Sequence, residues 1–285
     1  MRGRSGIALA VPYLLGLGLL VLLPACMATA IAFTEYYGFE APEFTGLDNL
    51  RRAADDAQFW LSAGNAALLA LLVVPVRLAL ALGCALLLHR RRRGAGLARV
   101  SAYLPSVVPD AAWALLWLWL LNPVYGPIAM FAGVLGVPGP GLLTDPWATR
   151  VGIATMLALQ LGESFVVCLA ARGLVPERFY EMAAVEGASP WYAARRITLR
   201  LMTPLVALLA ARDAILVLQV TFVPVLLVTD GGPRYATLTS PLYIYRRAFV
   251  YGELGYASAL SLTLLMLTAL VIGLLLLVAR RLRLP

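Results

Sequence analysis

The chain has 285 residues, of which 61% are hydrophobic and only 13% are charged, with a mean hydropathy of +0.84. Soluble domains carry about 25% charged residues, so the composition excludes a soluble protein and describes a polytopic membrane protein whose whole length forms one integral domain. The net charge of +8 is carried by arginine alone, with no lysine, and gathers at the ends of apolar runs. That placement reads as orientation by the positive-inside rule and not as a nucleic-acid surface, which would interleave aromatic and basic residues.

Arg2 and Arg4 precede an apolar run over 7–33. It exceeds both a signal-peptide core and the about 20 residues that a bilayer span requires. Leu23-Pro-Ala-Cys26 faintly resembles a lipoprotein cleavage box, with a proline that disfavours cleavage. With the arginines inside, the chain emerges outside at Thr34. The stretch to Gln58 carries Glu35, Glu40, Glu43, Asp48, Asp55 and Asp56 against Arg51 and Arg52, and reads as an external loop with a short helix. A second span, 59–88, is interrupted by Asn65, Pro75 and Arg77. An arginine there faces a protein interior or a bend, not lipid. His89-Arg-Arg-Arg-Arg93 follows as a topology anchor, and the histidine has no neighbouring acid or nucleophile to make it catalytic.

A third span, 100–121, has Pro105, Pro109 and Asp110 in its first half and Trp113, Trp117 and Trp119 in its second. The tryptophans read as an interfacial belt; Trp113 and Trp117, at i,i+4, alternatively form a face on which a sugar ring stacks. The Gly/Pro-rich stretch 122–147 lacks arginine and suits the external side. The fourth span, 151–171, places Gln160, Glu163 and Ser164 on one helical face. An arginine-rich loop, 172–200, returns the chain to the inside. Within it Glu181–Glu186 predicts a short helix, ended by Gly187 at positive φ, and a second helix opens with Ser189 as N-cap and Pro190 at its first position. The fifth span, 202–229, contains Arg212, Asp213 and Gln219, with Arg212, Leu216 and Gln219 on one face. The sixth, 258–278, ends at Arg280, Arg281 and Arg283. Both termini are therefore expected in the cytoplasm.

Several segments carry a family resemblance. Glu181-Met-Ala-Ala-Val-Glu-Gly-Ala188, followed by Ile197-Thr-Leu199, resembles the EAA loop of membrane subunits in binding-protein-dependent ABC importers. It departs from that pattern at Met182, Glu186, Ala194 and Arg200. Phe44-Thr-Gly-Leu-Asp-Asn-Leu-Arg51 resembles a segment that precedes the second span of sugar permeases. Thr229-Asp-Gly-Gly-Pro233 resembles a turn of the larger membrane subunit in maltose-type importers, and Phe249 to Ala259 resembles the lead-in to its last span. The resemblance implies an all-α membrane protein of six transmembrane helices with a cytoplasmic coupling helix, in a bacterial or archaeal cytoplasmic membrane. It implies coupling to ATPases through Glu181, Ala183, Glu186, Gly187 and Ala188. The implied partners are a second, homologous permease, two ATPase subunits that use ATP and Mg, and an extracytoplasmic solute-binding protein. The implied cargo is a sugar or sugar derivative, and the solute site lies between the fourth and fifth spans.

The residues themselves carry no enzyme signature. There is no Gly-x-x-x-x-Gly-Lys loop, no metal-spaced ligand set and no nucleophile with a histidine base, so neither catalytic nor metal-binding residues nor a bound cofactor are expected. Cys26, Cys84 and Cys168 sit in apolar runs as small hydrophobes. Ionisable groups at membrane depth face a cavity or a partner. Glu163 and Arg212 are placed to pair across the fourth and fifth spans, either as a structural ion pair or as a cavity wall. Gln160, Ser164, Asp213, Gln219, Thr221, Trp113 and Trp117 are the other candidates for a solute path. Two alternatives remain: an ion-coupled secondary transporter using Glu163, Arg212 and Asp213 as a relay, and an intramembrane enzyme, for which no catalytic set is visible.

Overall fold

A computed structural model describes residues 11–90, 93–136 and 141–281. Arg2, Arg4, Arg91, Arg92 and Arg283, and the first residues of the 7–33 stretch, lie outside the described residues. Among the described residues the fold is helical apart from one two-stranded ribbon, and they divide into two units, residues 11–60 with Tyr243–Leu267, and Leu61–Leu242 with the residues from Thr268 on.

In the first unit, α1 (Val11–Ile31) is followed by β1 (Thr34–Glu35) and β2 (Glu43–Phe44), paired antiparallel with Thr34 opposite Phe44. The short helix α2 (Asp48–Asp55) is tied to this ribbon by Asn49, whose Nδ2 donates to Ala32 O and Thr34 O at 3.2 and 2.8 Å. Asp56 ends α2 in an extended conformation and opens α3 (Ala57–Leu88). Its Oδ1 accepts the N–H groups of Gln58 and Phe59 at 2.9 and 3.1 Å, capping donors that a helix start leaves orphaned. Its Oδ2 accepts the hydroxyls of Tyr243, on α13 (Ser240–Tyr245), and Tyr256, on α14 (Leu254–Arg281), each at 2.6 Å. Arg247 donates to Tyr243 Oη and pairs with Glu253 at 3.0 Å; Arg52 pairs with Glu253 at 2.7 Å and lies 3.9 Å above the Tyr256 ring. Gly255 lets α14 start against β1, because a Cβ there would fall 2.1 Å from Thr34 O.

In the second unit, α3 carries Pro75 without ending. The predicted third span, 100–121, is not one helix. It is α4 (Ala95–Tyr103), a 3₁₀ turn (Leu104–Ser106) and α5 (Asp110–Leu120), because Pro105 and Pro109 lack the N–H that a continuous helix requires. A short helix, α6 (Pro127–Val134), follows. The predicted fourth span is a bent pair, α7 (Pro146–Leu159) and α8 (Gly162–Leu174), meeting at 47°. The two interruptions touch: Gly162 N donates to Ser106 Oγ at 2.8 Å, and a Cβ on Gly162 would lie 2.6 Å from that oxygen. After α9 (Arg178–Val185), the short helix α10 (Pro190–Ala193) runs through a π turn into α11 (Leu199–Val220). The predicted fifth span is thus displaced toward the N-terminus. It breaks at Thr221, and α12 (Val223–Val228) folds against α5. Among the described residues, four helices are by length and composition able to cross a membrane, or five if the bent pair is one span; the shortfall from six is the broken third stretch.

Polar groups inside these helices bind backbone that the turns leave unpaired. Asn65 on α3 donates to Tyr235 O and Leu238 O in the turn after α12, and Arg150 on α7 donates to Ala236 O at 3.0 Å. That turn contains Asp230 and Gly231 at positive φ. The apolar core joins Leu78, Ala81 and Ala85 of α3 to Phe165 and Cys168 of α8 and Met202 and Leu209 of α11.

Burial opposes ionisation of Asp56, yet hydrogen bonds from Tyr243, Tyr256 and the Phe59 and Gln58 N–H groups hold its carboxyl below the usual carboxylate range. Burial and the bond to Asp56 push the Tyr243 hydroxyl up to about 12. Asp56→Ala removes a helix cap and the acceptor of two hydroxyls, so it should destabilise the detergent-solubilised protein by roughly 2–3 kcal/mol in a thermal-unfolding assay. Because the folded pKa is depressed, the stabilisation is complete above about pH 4, the unfolded carboxylate range, and is lost only as pH falls through the lower folded value.

Candidate functional site

The breaks in α4–α5, α7–α8 and α11–α12 face one cavity of about 270 Å³. Its wall includes Arg77, Asp110, Gln160, Glu163, Ser164 and Arg212, with Ser106, Leu216 and Thr221 beside them. Each break exposes polar backbone that bilayer lipid cannot satisfy, so the polar side chains collect there.

Asp213 on α11 is the hub. It is fully buried, and its carboxylate accepts Ser164 Oγ from α8 at 3.2 Å and Arg212 Nη1 at 3.1 Å. Arg77 from α3 approaches it at 3.8 Å. Arg77 also donates Nη2 to Leu157 O at 2.5 Å, where the end of α7 leaves carbonyls without a helical partner. Its buried Nε has no hydrogen-bond partner among the described residues. Arg212 makes a second ion pair with Glu163, which lies in the first turn of α8 where the helix dipole favours an anion. Gln160 sits at the α7–α8 break and donates Nε2 to Asp110 Oδ1 at 3.3 Å. Three carboxylates and two guanidinium groups thus surround the cavity, together with hydroxyl and amide donors.

Gln160, Glu163, Ser164, Arg212 and Thr221 line the cavity, and Asp213 lies directly behind its wall. Gln219 does not line it: α11 stops at Val220, and the break brings Thr221 there instead. Trp113 and Trp117 also stay out of it and do not form a surface belt. They are buried edge-to-face at 5.9 Å, and Trp113 Nε1 donates to Met156 O at 3.1 Å. Trp119 is the outward-facing tryptophan of α5. Asp110 and Ser106 were not expected in the wall. Their sequence signal is the Pro105/Pro109 interruption, since a proline followed by an acid opens a helix and aims the acid at its N-terminus.

The elbow is a second candidate surface. Helix α9 starts one turn earlier than expected and ends in a Schellman motif: Gly187 has φ +74°, its N–H reaches Ala184 O at 3.0 Å, and Ala188 N–H reaches Ala183 O at 2.8 Å. Ser189 Oγ accepts Tyr192 N–H at 3.2 Å and starts α10. Glu181 and Glu186 are exposed, Ala183 and Ala188 half-buried. Beside them Val185 and Trp191 are 89% and 74% exposed, which leaves an apolar surface on the elbow without a partner among the described residues. The elbow root is held by Tyr180, whose hydroxyl meets Thr198 Oγ1 at 2.6 Å and whose ring lies under Arg172.

Residues 75–284 match the family described as binding-protein-dependent transport system inner membrane component. A probable ABC transporter permease protein, YesP of Bacillus subtilis (strain 168), is 29% identical over 275 residues, covering 94% of this chain and 87% of that one. The diacetylchitobiose uptake system permease protein NgcF of Streptomyces coelicolor is 30% identical over 91% of this chain and 78% of its own length. The fold matches a chain in the crystal structure of a bacterial alginate ABC transporter in complex with an alginate pentasaccharide-bound periplasmic protein, with a TM-score of 0.82, 22% identity and coverage of 99% and 96%. The chain belongs to the binding-protein-dependent transport system inner membrane components, and it is a non-catalytic, multi-pass permease subunit of an ABC importer.

Proposed function

We propose that the chain translocates a sugar or sugar derivative through the cavity around Asp213. The observation that carries this reading is the joining of Gln160, Ser164, Thr221, Glu163 and Arg212 in one wall, since amide, hydroxyl and charged groups together suit a polyhydroxylated solute. The carbohydrate named for the diacetylchitobiose relative supports it. The chain acts as a single permease domain beside a second, homologous permease. Two ATPase subunits supply the energy from ATP and Mg, and a solute-binding protein delivers the cargo. Energy supplied by ATPases leaves no role for the ion relay through Glu163, Arg212 and Asp213.

The elbow formed by Glu181, Ala183, Glu186, Gly187 and Ala188 docks on an ATPase, covering Val185 and Trp191. Helix α10, the π turn and α11 form one uninterrupted helical segment from Pro190 to Val220, about 45 Å long at 1.5 Å per residue. ATPase closure therefore moves the Arg212–Asp213 wall together with the elbow, and alternating access follows. Both termini and the elbow lie on the cytoplasmic side, and the acidic loop that carries α2 lies outside.

Gln160→Ala should lower uptake by about five- to ten-fold, the loss of one hydrogen bond of 1–1.5 kcal/mol, with normal amounts of assembled complex. Glu163→Gln should act likewise, because the Glu163 side chain is 62% exposed. Asp213→Ala instead strands Arg77 in the interior at about 3–5 kcal/mol, and should deplete the complex itself. A depleted complex in Glu163→Gln, rescued by Glu163→Arg with Arg212→Glu, would make that pair structural and remove it from the solute path.

Gly187→Pro and Glu186→Arg should abolish solute-stimulated ATP hydrolysis in proteoliposomes while membrane insertion continues. Normal uptake and stimulation in both would exclude the elbow as the coupling element. A cysteine at exposed Asp48, in a chain whose native cysteines are replaced, should react with an impermeant reagent in intact cells with a permeable outer membrane. Labelling confined to lysed cells would invert the topology.

A further inference from the structure

A second cavity, of about 430 Å³, lies where the end of α3, α4 and the α8–α9 turn meet, and shares no residue with the solute cavity. Arg99, Arg172, His89, Glu177, Leu169 and Leu174 line it. Arg99 directs Nε and Nη2 to Leu88 O at 2.9 and 2.6 Å, and Nη2 to His89 O at 3.1 Å. These carbonyls end α3, so Arg99 sits at a helix C-terminus, and among the described residues it forms no ion pair with a carboxylate. Arg172 is only 5% exposed and lies 4.2 Å above the Tyr180 ring.

His89 adds no opposing charge. Leu86 O can only accept, and it meets Nδ1 at 2.7 Å; Arg172 Nη2 can only donate, and it meets Nε2 at 3.3 Å. The ring proton is therefore on Nδ1, and the imidazole is neutral. Among the described residues, Glu177 is the single lining carboxylate. It is 60% exposed and 3.9 Å from Arg172, a long contact for an ion pair. The lining thus keeps an excess of positive charge, and Arg90 follows His89 in the chain. One part of the wall is apolar and open, with Leu174 83% exposed.

We propose that this cavity binds a phosphate-ester anion, supplied by the headgroup of an anionic membrane lipid, with Arg99 and Arg172 as its cationic partners and Leu174 against the acyl chain. Basic pockets between helix ends recognise lipid phosphate in this way. The lipid is favoured over free phosphate because the cavity joins two guanidinium groups to the exposed Leu174 on a helix of a membrane protein. The site lies at the root of the elbow, since Glu177 immediately precedes α9.

The test is lipid retention by the assembled importer, reconstituted in vesicles of equimolar phosphatidylglycerol and phosphatidylcholine and read by native mass spectrometry. Phosphatidylglycerol should be retained preferentially. Arg99→Gln should lower that preference by about five-fold, the effect of one arginine at an anionic surface. Glu177→Gln, which removes the competing carboxylate from an exposed position, should raise it. The opposite sign of the second variant separates loss of binding from loss of fold. Equal retention of both lipids, or no change in either variant, overturns the proposal. Displacement of the lipid by millimolar inorganic phosphate assigns the site to the free ion and overturns the lipid source. Loss of ATPase subunits from Arg99→Gln with lipid retention unchanged gives the cavity to an acidic protein partner and overturns it as well.

Discussion

Asp213 is a carboxylate with no exposed surface, set in a helix that is otherwise mostly apolar, and the second unit is built around neutralising it. A charged group buried alone costs several kcal/mol even after relaxation. Here the answer comes from three helices: Arg77 from α3, Ser164 from α8 and Arg212 from α11 itself. A shift of any one helix by a turn, about 5.4 Å, would break the set. Charge pairing therefore fixes helix register in an environment where lipid tails are as apolar as leucine and burial alone selects little. Ala81, Ala85 and Cys168 are small residues of α3 and α8 in the buried core cluster they share.

The cavity follows from a second constraint. Three helices are interrupted near the same place, and an interruption frees backbone groups that must find partners inside the protein. Gly162 N finds Ser106 Oγ, Leu157 O finds Arg77, and Thr221 O finds Thr239 Oγ1 at 3.2 Å. Two of the side chains that satisfy the breaks, Arg77 and Ser106, also make the wall polar. A polar-walled cavity therefore needs no separate design. It is the consequence of stopping neighbouring helices at one level.

The first unit solves a different problem with similar means. Asp56 caps α3 and gathers two tyrosine hydroxyls from the far end of the chain, so residues 187 and 200 positions away in sequence converge on one carboxylate. Arg52 and Arg247 then share Glu253. Asp56 and Asp213 are both hubs. Asp56 is held chiefly by neutral hydroxyl and amide donors, whereas Asp213, deeper among apolar side chains, requires guanidinium groups as well.

What depends on one-dimensional patterns was determined by the sequence itself. Composition and arginine placement specify a membrane bundle, and Gly187, Ser189 and Pro190 specify the elbow because caps and turns are local chemistry. The pairing of Glu163 with Arg212 was also legible, since both are ionisable groups inside apolar stretches and each requires a partner. The tertiary structure decided the rest. Pro105 and Pro109 were visible, but whether they kink a span or end it depended on Ser106 meeting Gly162, 56 residues away. Trp113 and Trp117 matched an interfacial belt by type, yet both are buried edge-to-face; the Trp113 N–H finds Met156 O of α7, whereas the Trp117 N–H has no partner among the described residues. Helical periodicity put Gln219 beside Arg212, but α11 ends at Val220, and Thr221, the first residue past the break, takes the place in the wall. Arg77 had no readable partner in sequence, because Leu157 O and Asp213 come to it only when three helices pack.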